Sequence, residues 1–302
     1  ADLFGQYAAC LGCIFIREGR PMLTNKLNLP RSIVAAVTND GYSRGKSDIS
    51  VTQLISPPFQ RKLRETVEPQ EDVADRIWSL LGQSVHTVLE RAYPEGTTDA
   101  VVETRLFTTV EGWSVSGQMD VLEAGTLMDF KVTSVWSRKG KPEWEQQLNL
   151  LAALCRRQMA ETGDVRFNVN RIQIIAIFRD WVQSKTLAGD DYPESQVAVI
   201  PVPLWTEEEQ DAFLVERVRL HQAARPEPCT DEERWKTNDV WALMKEGRKS
   251  AVKLFGSEME ANAAADAAGS GHSVVHRRGE YKRCASYCNV SHGCPVWQSV
   301  PF

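Results

Sequence analysis

The sequence predicts an α/β protein in which a mixed sheet is flanked by helices. Three observations carry this reading. Three β-like runs follow one another between residues 101 and 133, joined by connections of hairpin length. A nearly uninterrupted β-branched and apolar run, Arg171–Phe178, has the character of a strand buried on both faces. Segments of helical periodicity stand before, between and after these strands.

Taken in order, residues 1–48 hold a short apolar run and a Gly-, Ser- and Asn-containing stretch ending in Ser43-Arg44-Gly45-Lys46, the composition of a peripheral segment. Ile49–Ile55 reads as a short β-like or capped run stopped by Pro57-Pro58. A helix is predicted over Asp72–Ala92, where Val73, Ile77, Leu81, Val85, Val88, Leu89 and Ala92 form one apolar stripe, ended by Pro94-Glu95-Gly96. The strands Val101–Val110, Trp113–Leu122 and Thr126–Thr133 are separated by Glu111-Gly112 and Glu123-Ala124-Gly125, which makes them an antiparallel meander. A helix over Glu143–Ala160 follows, then strands Arg171–Phe178 and Gln196–Val202. Thr206, with Glu209 three residues on, opens a helix to about Ala224 through a capping box. Beyond Arg225-Pro226-Glu227-Pro228 come a Trp-rich segment (Trp235, Trp241), a strand Ser250–Phe255, an Ala-rich helix Glu258–Ala268 and a terminal group of cysteines.

Of 302 residues, 42% are hydrophobic and 25% charged, which excludes a collagenous or wholly disordered chain. No run approaches the ~20 apolar residues of a membrane helix, and no basic start, apolar centre and cleavage site mark a signal peptide. A cytoplasmic protein without a membrane partner is therefore expected. Thirty-five Lys and Arg stand against 40 Asp and Glu, for a net charge of −5. That balance argues against a protein that coats nucleic acid non-specifically, and leaves room for an enzyme with a local basic channel. Seven cysteines, with no export signal, point to metal ligation or buried thiols before disulfides.

The residues with the most chemistry lie on the meander and its two neighbouring helices. Asp120 sits in Gly117-Gln118-Met119-Asp120, and Asp129-Phe130-Lys131 follows the next tight turn. Alternation puts Asp129 and Lys131 on one face of their strand, and pairing across the turn brings Asp120 toward it. Two carboxylates converging with an amine suit a hard divalent cation and a positioned water. The preceding helix carries His86 and Glu90 one turn apart, and the following one carries Gln146-Gln147.

This ordered set, over roughly residues 75–160, resembles the RecB-like branch of the PD-(D/E)xK nuclease superfamily: a helical Gly…His…Leu-Glu, a strand Gly-x-x-Asp, an Asp-x-Lys, then a helix beginning with Gln. Leu151 stands where many members carry Tyr. The resemblance implies a restriction-endonuclease-like core and a metal-dependent phosphodiesterase. His86, Asp120 and Asp129, with the Phe130 carbonyl, would hold magnesium or manganese. Lys131 would position the attacking water, Gln147 would orient it or Lys131, and Glu90 would support the site.

Cys284, Cys288 and Cys294 form a second constellation, since thiolates at such spacing wrap soft-metal centres. Some RecB-like nucleases, among them the AddB recombination subunit and a CRISPR spacer-acquisition family, are similar in joining a C-terminal Cys trio to an upstream Cys around a 4Fe–4S cluster. Here the trio is spaced C-x3-C-x5-C, and Cys229 is the expected fourth ligand. Zinc held by the trio with His292, and participation of Cys10-x-x-Cys13, remain as alternatives. On this reading residues 49–224 are the nuclease core and 225–302 a Cys-bound extension.

Basic pairs at Arg138-Lys139, Arg156-Arg157, Arg248-Lys249, Arg277-Arg278 and Lys282-Arg283 are candidates for tracking phosphates, with Trp136 and Tyr281 as candidates for stacking on bases. No Walker loop is present. The expected function is a metal-dependent DNA exonuclease acting on ends or single strands, in phage or mobile-element recombination, with a recombination protein as a partner. A structure-specific endonuclease is one alternative. A non-catalytic nucleic-acid scaffold is another, although a degenerate relative would be expected to have lost the Lys or an Asp.

Overall fold

A computed structural model describes residues 22–38, 45–94, 96–188 and 191–300. They fall into two units. One runs to Arg61 and resumes over Glu68–Pro226; the other joins Lys62–Val67 to the chain from Glu227 onward.

The first unit begins with β1 (Met22–Thr24), α1 (Arg31–Thr38), β2 (Ile49–Ser50) and α2 (Val51–Leu54). Next come α3 (Pro58–Leu63), whose last residues enter the second unit, β3 (Gln70–Asp72) and α4 (Ile77–Glu90). Then come β4 (Ala100–Val110), β5 (Trp113–Glu123), β6 (Thr126–Thr133), α5 (Pro142–Thr162), β7 (Arg171–Phe178), β8 (Val197–Val202) and α6 (Glu207–Gln222). The main sheet has the order β2-β5-β6-β7-β8, with β4 paired to β5. Neighbours β4–β5, β5–β6 and β7–β8 are antiparallel, whereas β2–β5 and β6–β7 are parallel. It is a mixed sheet flanked by helices. The parallel β6–β7 pair requires a long crossover, which α5 supplies.

Two hairpin turns set the register. Val110 pairs with Trp113 and Glu123 with Thr126, so each connection has two residues. Glu111 and Gly112 have φ of 49° and 77°, and Ala124 and Gly125 have 47° and 72°. Positive φ at both positions is the geometry that matches the twist of a tight hairpin. The Glu123 expected in the second turn is therefore a strand residue.

The helix predicted from Asp72 is a 3₁₀ turn, Val73–Arg76, leading into α4, with Asp72 capping the turn through Ala74 N–H. None of the α4 side chains is fully buried, and Leu81 and Val88 of its expected stripe are exposed. α4 touches β6 and α1, and its face carrying Gln83, His86, Thr87 and Glu90 borders an open cleft. On β7, Ile172, Ile174, Ala176 and Phe178 are buried while Ile175 and Ile177 are half-buried, so one face is more open than the β-branched run suggests. Pro58 opens α3 instead of ending a run, since proline lacks only an N–H that a first helical turn leaves unpaired. Of the stretch expected to be peripheral, β1 pairs with β3, and Leu23, Val34 and Val37 pack with Val73 in a small core of their own.

The principal core lies between the sheet and α5, where Leu148, Leu151, Leu154 and Cys155 cover Val115, Met119 and Ile174. Leu214 and Val218 of α6 join it, and Thr206 and Glu209 form the expected capping box. No helix among the described residues is long and apolar enough to cross a membrane.

The second unit holds β9 (Val240–Lys245), β10 (Lys253–Phe255), α7 (Glu258–Ala268), β11 (His272–Arg277) and α8 (Pro295–Gln298). Its sheet has the order β10-β9-β11, all antiparallel, with α7 against β9 and β11. The Trp-rich segment thus supplies the central strand. Its buried apolar side chains are Ala242, Leu243, Ala261 and Val290.

His221, buried at the end of α6, bonds through Nε2 to the Leu54 carbonyl at 3.1 Å, and Arg217 donates to the same oxygen at 2.7 Å. Burial pulls its pKa down from 6.5 to about 4. A histidine held neutral stabilises the fold above its ordinary pKa and stops doing so as pH falls toward the depressed one. Urea unfolding should therefore show the parent losing about 2–3 kcal/mol between pH 7.5 and 4.5, a loss that His221→Gln, which keeps a donor for Leu54, lacks. Equal pH dependence in both proteins would remove His221 as the linked group.

Candidate active site

The ladder between β5 and β6 stops at Val121↔Met128. The next residues on the two strands are Asp120 and Asp129, and there the strands part. Asp120 takes over the role of the missing backbone acceptor: its Oδ2 accepts the Phe130 N–H at 2.7 Å. On its other flank β5 is paired with β4 along its length except at Asp120, opposite Glu103, so the edge opened by this fork is shared between β6 and the short β2. Gly117 lies on this stretch of β5. A Cβ there would stand 2.6 Å from a Leu151 methyl and 2.9 Å from Val51, so α5 and α2 close over β5 only because the residue is glycine. Leu151 fills the space it leaves.

A cleft of about 570 Å³ occupies the fork. Its walls include His86 and Glu90 from α4, Glu103 from β4, Asp120 from β5, Asp129 and Lys131 from β6, and Gln147 from α5. All six side chains predicted as catalytic therefore share one cavity. Asp129 is buried, and its Oδ1 accepts from Lys131 Nζ at 2.9 Å and from Gln147 Nε2 at 3.0 Å. The other oxygen, Oδ2, lies 2.6 Å from the same ammonium without hydrogen-bond geometry and has no other partner.

His86 Nε2 is 3.0 Å from the Phe130 carbonyl oxygen, which can only accept, so Nε2 carries the proton. Nδ1 then faces Asp120 Oδ2 at 3.5 Å and Glu103 Oε1 at 3.8 Å. A neutral imidazole would point its lone pair at two carboxylates. Only a second proton or a cation relieves that arrangement. The Glu103 carboxylate, foremost, raises the His86 pKa, and the Asp120 and Asp129 charges act in the same direction. Burial foremost, then the Asp129 charge, lifts Asp120 from 3.8 to about 7.

The ligand atoms of His86, Glu103 and Asp120 all lie within 4.8 Å of one another. This trio differs from the expected one. Asp129 is turned toward Lys131 and Gln147, and the Phe130 carbonyl, expected as a ligand, receives the His86 hydrogen bond. Glu103 was missed, although the hairpin arithmetic contains it: Val110↔Trp113 places residue 103 opposite residue 120. An oxygen-rich set with one imidazole, beside a buried carboxylate oxygen without a hydrogen bond, fits a divalent cation.

In the second unit Cys229, Cys284, Cys288 and Cys294 are free and half-buried. Burial, then the charges of Glu233 and the other three cysteines, pushes the Cys229 thiol up to about 12. Four thiols are soft donors that fit a soft cationic centre. Neither they nor the trio with His292 form a set within 4.8 Å. Cys155 is a core thiol beside Met119, and Cys10-x-x-Cys13 lies outside the described residues. Of the basic pairs, Arg156 and Arg157 both bind Asp211 and Arg138 binds Asp191. Trp136 is exposed, while the face of Tyr281 is covered by the Arg234 guanidinium at 3.5 Å.

No protein-family model matches the chain, and no curated protein matches it. Among solved structures it is similar to one titled "Crystal structure of SSO0001", with 17% identity over 67% of this chain and 89% of that one, and a TM-score of 0.40.

A carboxylate with a raised pKa stabilises the fold below its ordinary value and ceases to as pH rises through the raised one. Metal-free parent should thus fall behind Asp120→Asn in thermal stability as pH goes from 5 to 8, since Asn still accepts from Phe130 and carries no charge. Manganese added at pH 8 should restore the parent alone. A constant difference across this range would contradict the buried-charge account.

Proposed function

We propose that the protein is a divalent-metal-dependent DNA nuclease, acting as an exonuclease on ends or single strands. The observation that carries this reading is the convergence of His86, Asp120, Asp129, Lys131 and Gln147 from four different elements on one cleft. His86, Asp120 and Asp129, with the Phe130 carbonyl, are the residues proposed to hold magnesium or manganese. The bound cation supplies a Lewis acid and lowers the pKa of a coordinated water. Lys131 would turn its ammonium from Asp129 to the attacking water and the scissile phosphate. Gln147, already bonded to Asp129, would keep that carboxylate in place when Lys131 leaves it. Water adds to phosphorus, the bond to the leaving oxygen breaks, and that oxygen takes up a proton.

End-labelled and circular single-stranded DNA, incubated with and without manganese, test the reading. Cleavage should need both the metal and a free end, and Lys131→Ala should slow it roughly 10²–10⁴-fold with DNA binding kept within a few-fold. Cutting of circles would make it an endonuclease, and unimpaired Lys131→Ala would remove the assigned site. Cleavage by neither metal-loaded substrate pair would leave the scaffold alternative.

The four cysteines of the second unit are proposed to hold a 4Fe–4S cluster. Four thiolates are the number a cubane takes, one for each iron. Anaerobically purified protein should be brown, with about four irons per chain. Cys229→Ser should lose them and Cys155→Ser keep them. One zinc in colourless protein would replace the cluster by the zinc alternative.

A further inference from the structure

We propose that Glu103 is a further direct ligand of the cation, joining His86 and Asp120 so that manganese binds before any nucleic acid arrives. The inference deepens the nuclease reading and rests on it for its purpose, but the binding it describes is measurable without DNA.

Three observations converge. The first is backbone conformation. Glu103 has φ of +43° in the middle of β4, a left-handed conformation that side-chain-bearing residues rarely adopt and that glycine adopts freely. Its neighbours Val102 and Thr104 pair normally with Val121 and Met119, so the ladder is interrupted at Glu103 and Asp120 alone. The Thr104 hydroxyl donates to the Val102 carbonyl at 2.9 Å across this break. Strain of this kind, set in the longest hairpin of the fold, points to a side chain retained for what it does.

The second is the way the carboxylate is held. Gln118 Nε2 donates to Glu103 Oε2 at 2.7 Å, and Arg105 Nη2 donates to Gln118 Oε1 at 2.7 Å. These bonds fix one oxygen and leave Oε1 facing His86 Nδ1, the same ring atom that faces Asp120 Oδ2. Supporting bonds that aim a carboxylate at a shared point are what a metal site requires of its surroundings. The third is the neighbouring Asp129: only 3% exposed, its Oδ2 has no partner but the Lys131 ammonium, 2.6 Å away without hydrogen-bond geometry.

One imidazole nitrogen with two carboxylates is a donor set that favours manganese over magnesium or calcium, which prefer oxygen alone. Manganese is therefore the probe. Full-length parent, Glu103→Gln, Glu103→Gly and Glu103→Ala are titrated with Mn²⁺ alone, with free Mn²⁺ followed by electron paramagnetic resonance, and their metal-free melting temperatures are compared. Glu103→Gln keeps an acceptor for Gln118 and should bind manganese at least tenfold more weakly. Glu103→Gly should lose the same affinity yet melt above Glu103→Ala, because glycine alone accepts the backbone conformation without strain. Manganese affinity within twofold of parent in Glu103→Gln overturns the assignment, as does a glycine variant that melts below the alanine one. A parent that cleaves DNA while Glu103→Gln binds manganese normally sinks this proposal and spares the nuclease reading. Manganese bound through Glu103 by a protein that cleaves no DNA does the reverse.

Discussion

The structure of the first unit depends on the parting of β5 from β6 at Asp120 and Asp129. Continued pairing would have given Phe130 N–H a backbone acceptor and closed the sheet. Instead the Asp120 carboxylate accepts that proton, satisfying a buried donor that would otherwise be orphaned. The substitution opens a cleft where β5 and β6 would otherwise continue to pair. It also brings two carboxylates into a poorly hydrated space, where burial and the Asp129 charge raise the Asp120 pKa. Every other feature of the site responds to this crowding: the ammonium of Lys131 on Asp129, the imidazole of His86 beside Asp120, and the Gln118–Arg105 relay behind Glu103.

Such an arrangement is unfavourable as it stands and favourable once positive charge enters. The metal-free site satisfies itself internally by turning Lys131 onto Asp129. A cation would take over that neutralisation and leave the amine available to other partners. A cation bound there would thus compete with Lys131 for Asp129. This is a physical reason for keeping Asp and Lys two apart on a strand, where both face one side and can meet.

Much of this was legible in the sequence because it is local. Glu111-Gly112 and Ala124-Gly125 fix a meander, and the β-branched run of β7 and the capping box at Thr206 mark their elements within a few residues. The carboxylates and Lys131 follow from alternation along β5 and β6. What escaped depends on long-range pairing. The exposure of Leu81 and Val88 arises because none of the described residues covers that side of α4, a fact that periodicity along one helix does not contain. β9 and β11 are read poorly from their own residues, since each is half-exposed and acquires strand character from its partner. Glu103 stands between: the register names it, but a glutamate in a left-handed conformation inside a strand contradicts every local preference.

The second unit poses a different problem. About 80 residues surround a core of Ala242, Leu243, Ala261 and Val290, far less apolar burial than a free-standing domain of that size requires. Hydrogen bonds do not make up the difference, since each replaces one to water. A buried guanidinium, Arg234, lies over Tyr281 with two nitrogens unbonded, which adds a polar group to an already small interior. What the unit does have is four thiols, three near its C-terminal end and one just after its junction with the first unit. Ligands drawn from such distant points remove conformational freedom from the unfolded chain between them, and binding free energy then becomes folding free energy. Small domains that lack a sufficient core are stabilised in this way by disulfides or metals. Burial and the neighbouring charges raise the Cys229 thiol, and the sulfurs and the thin core bear on the same proposal, a bound centre that would tie the chain together.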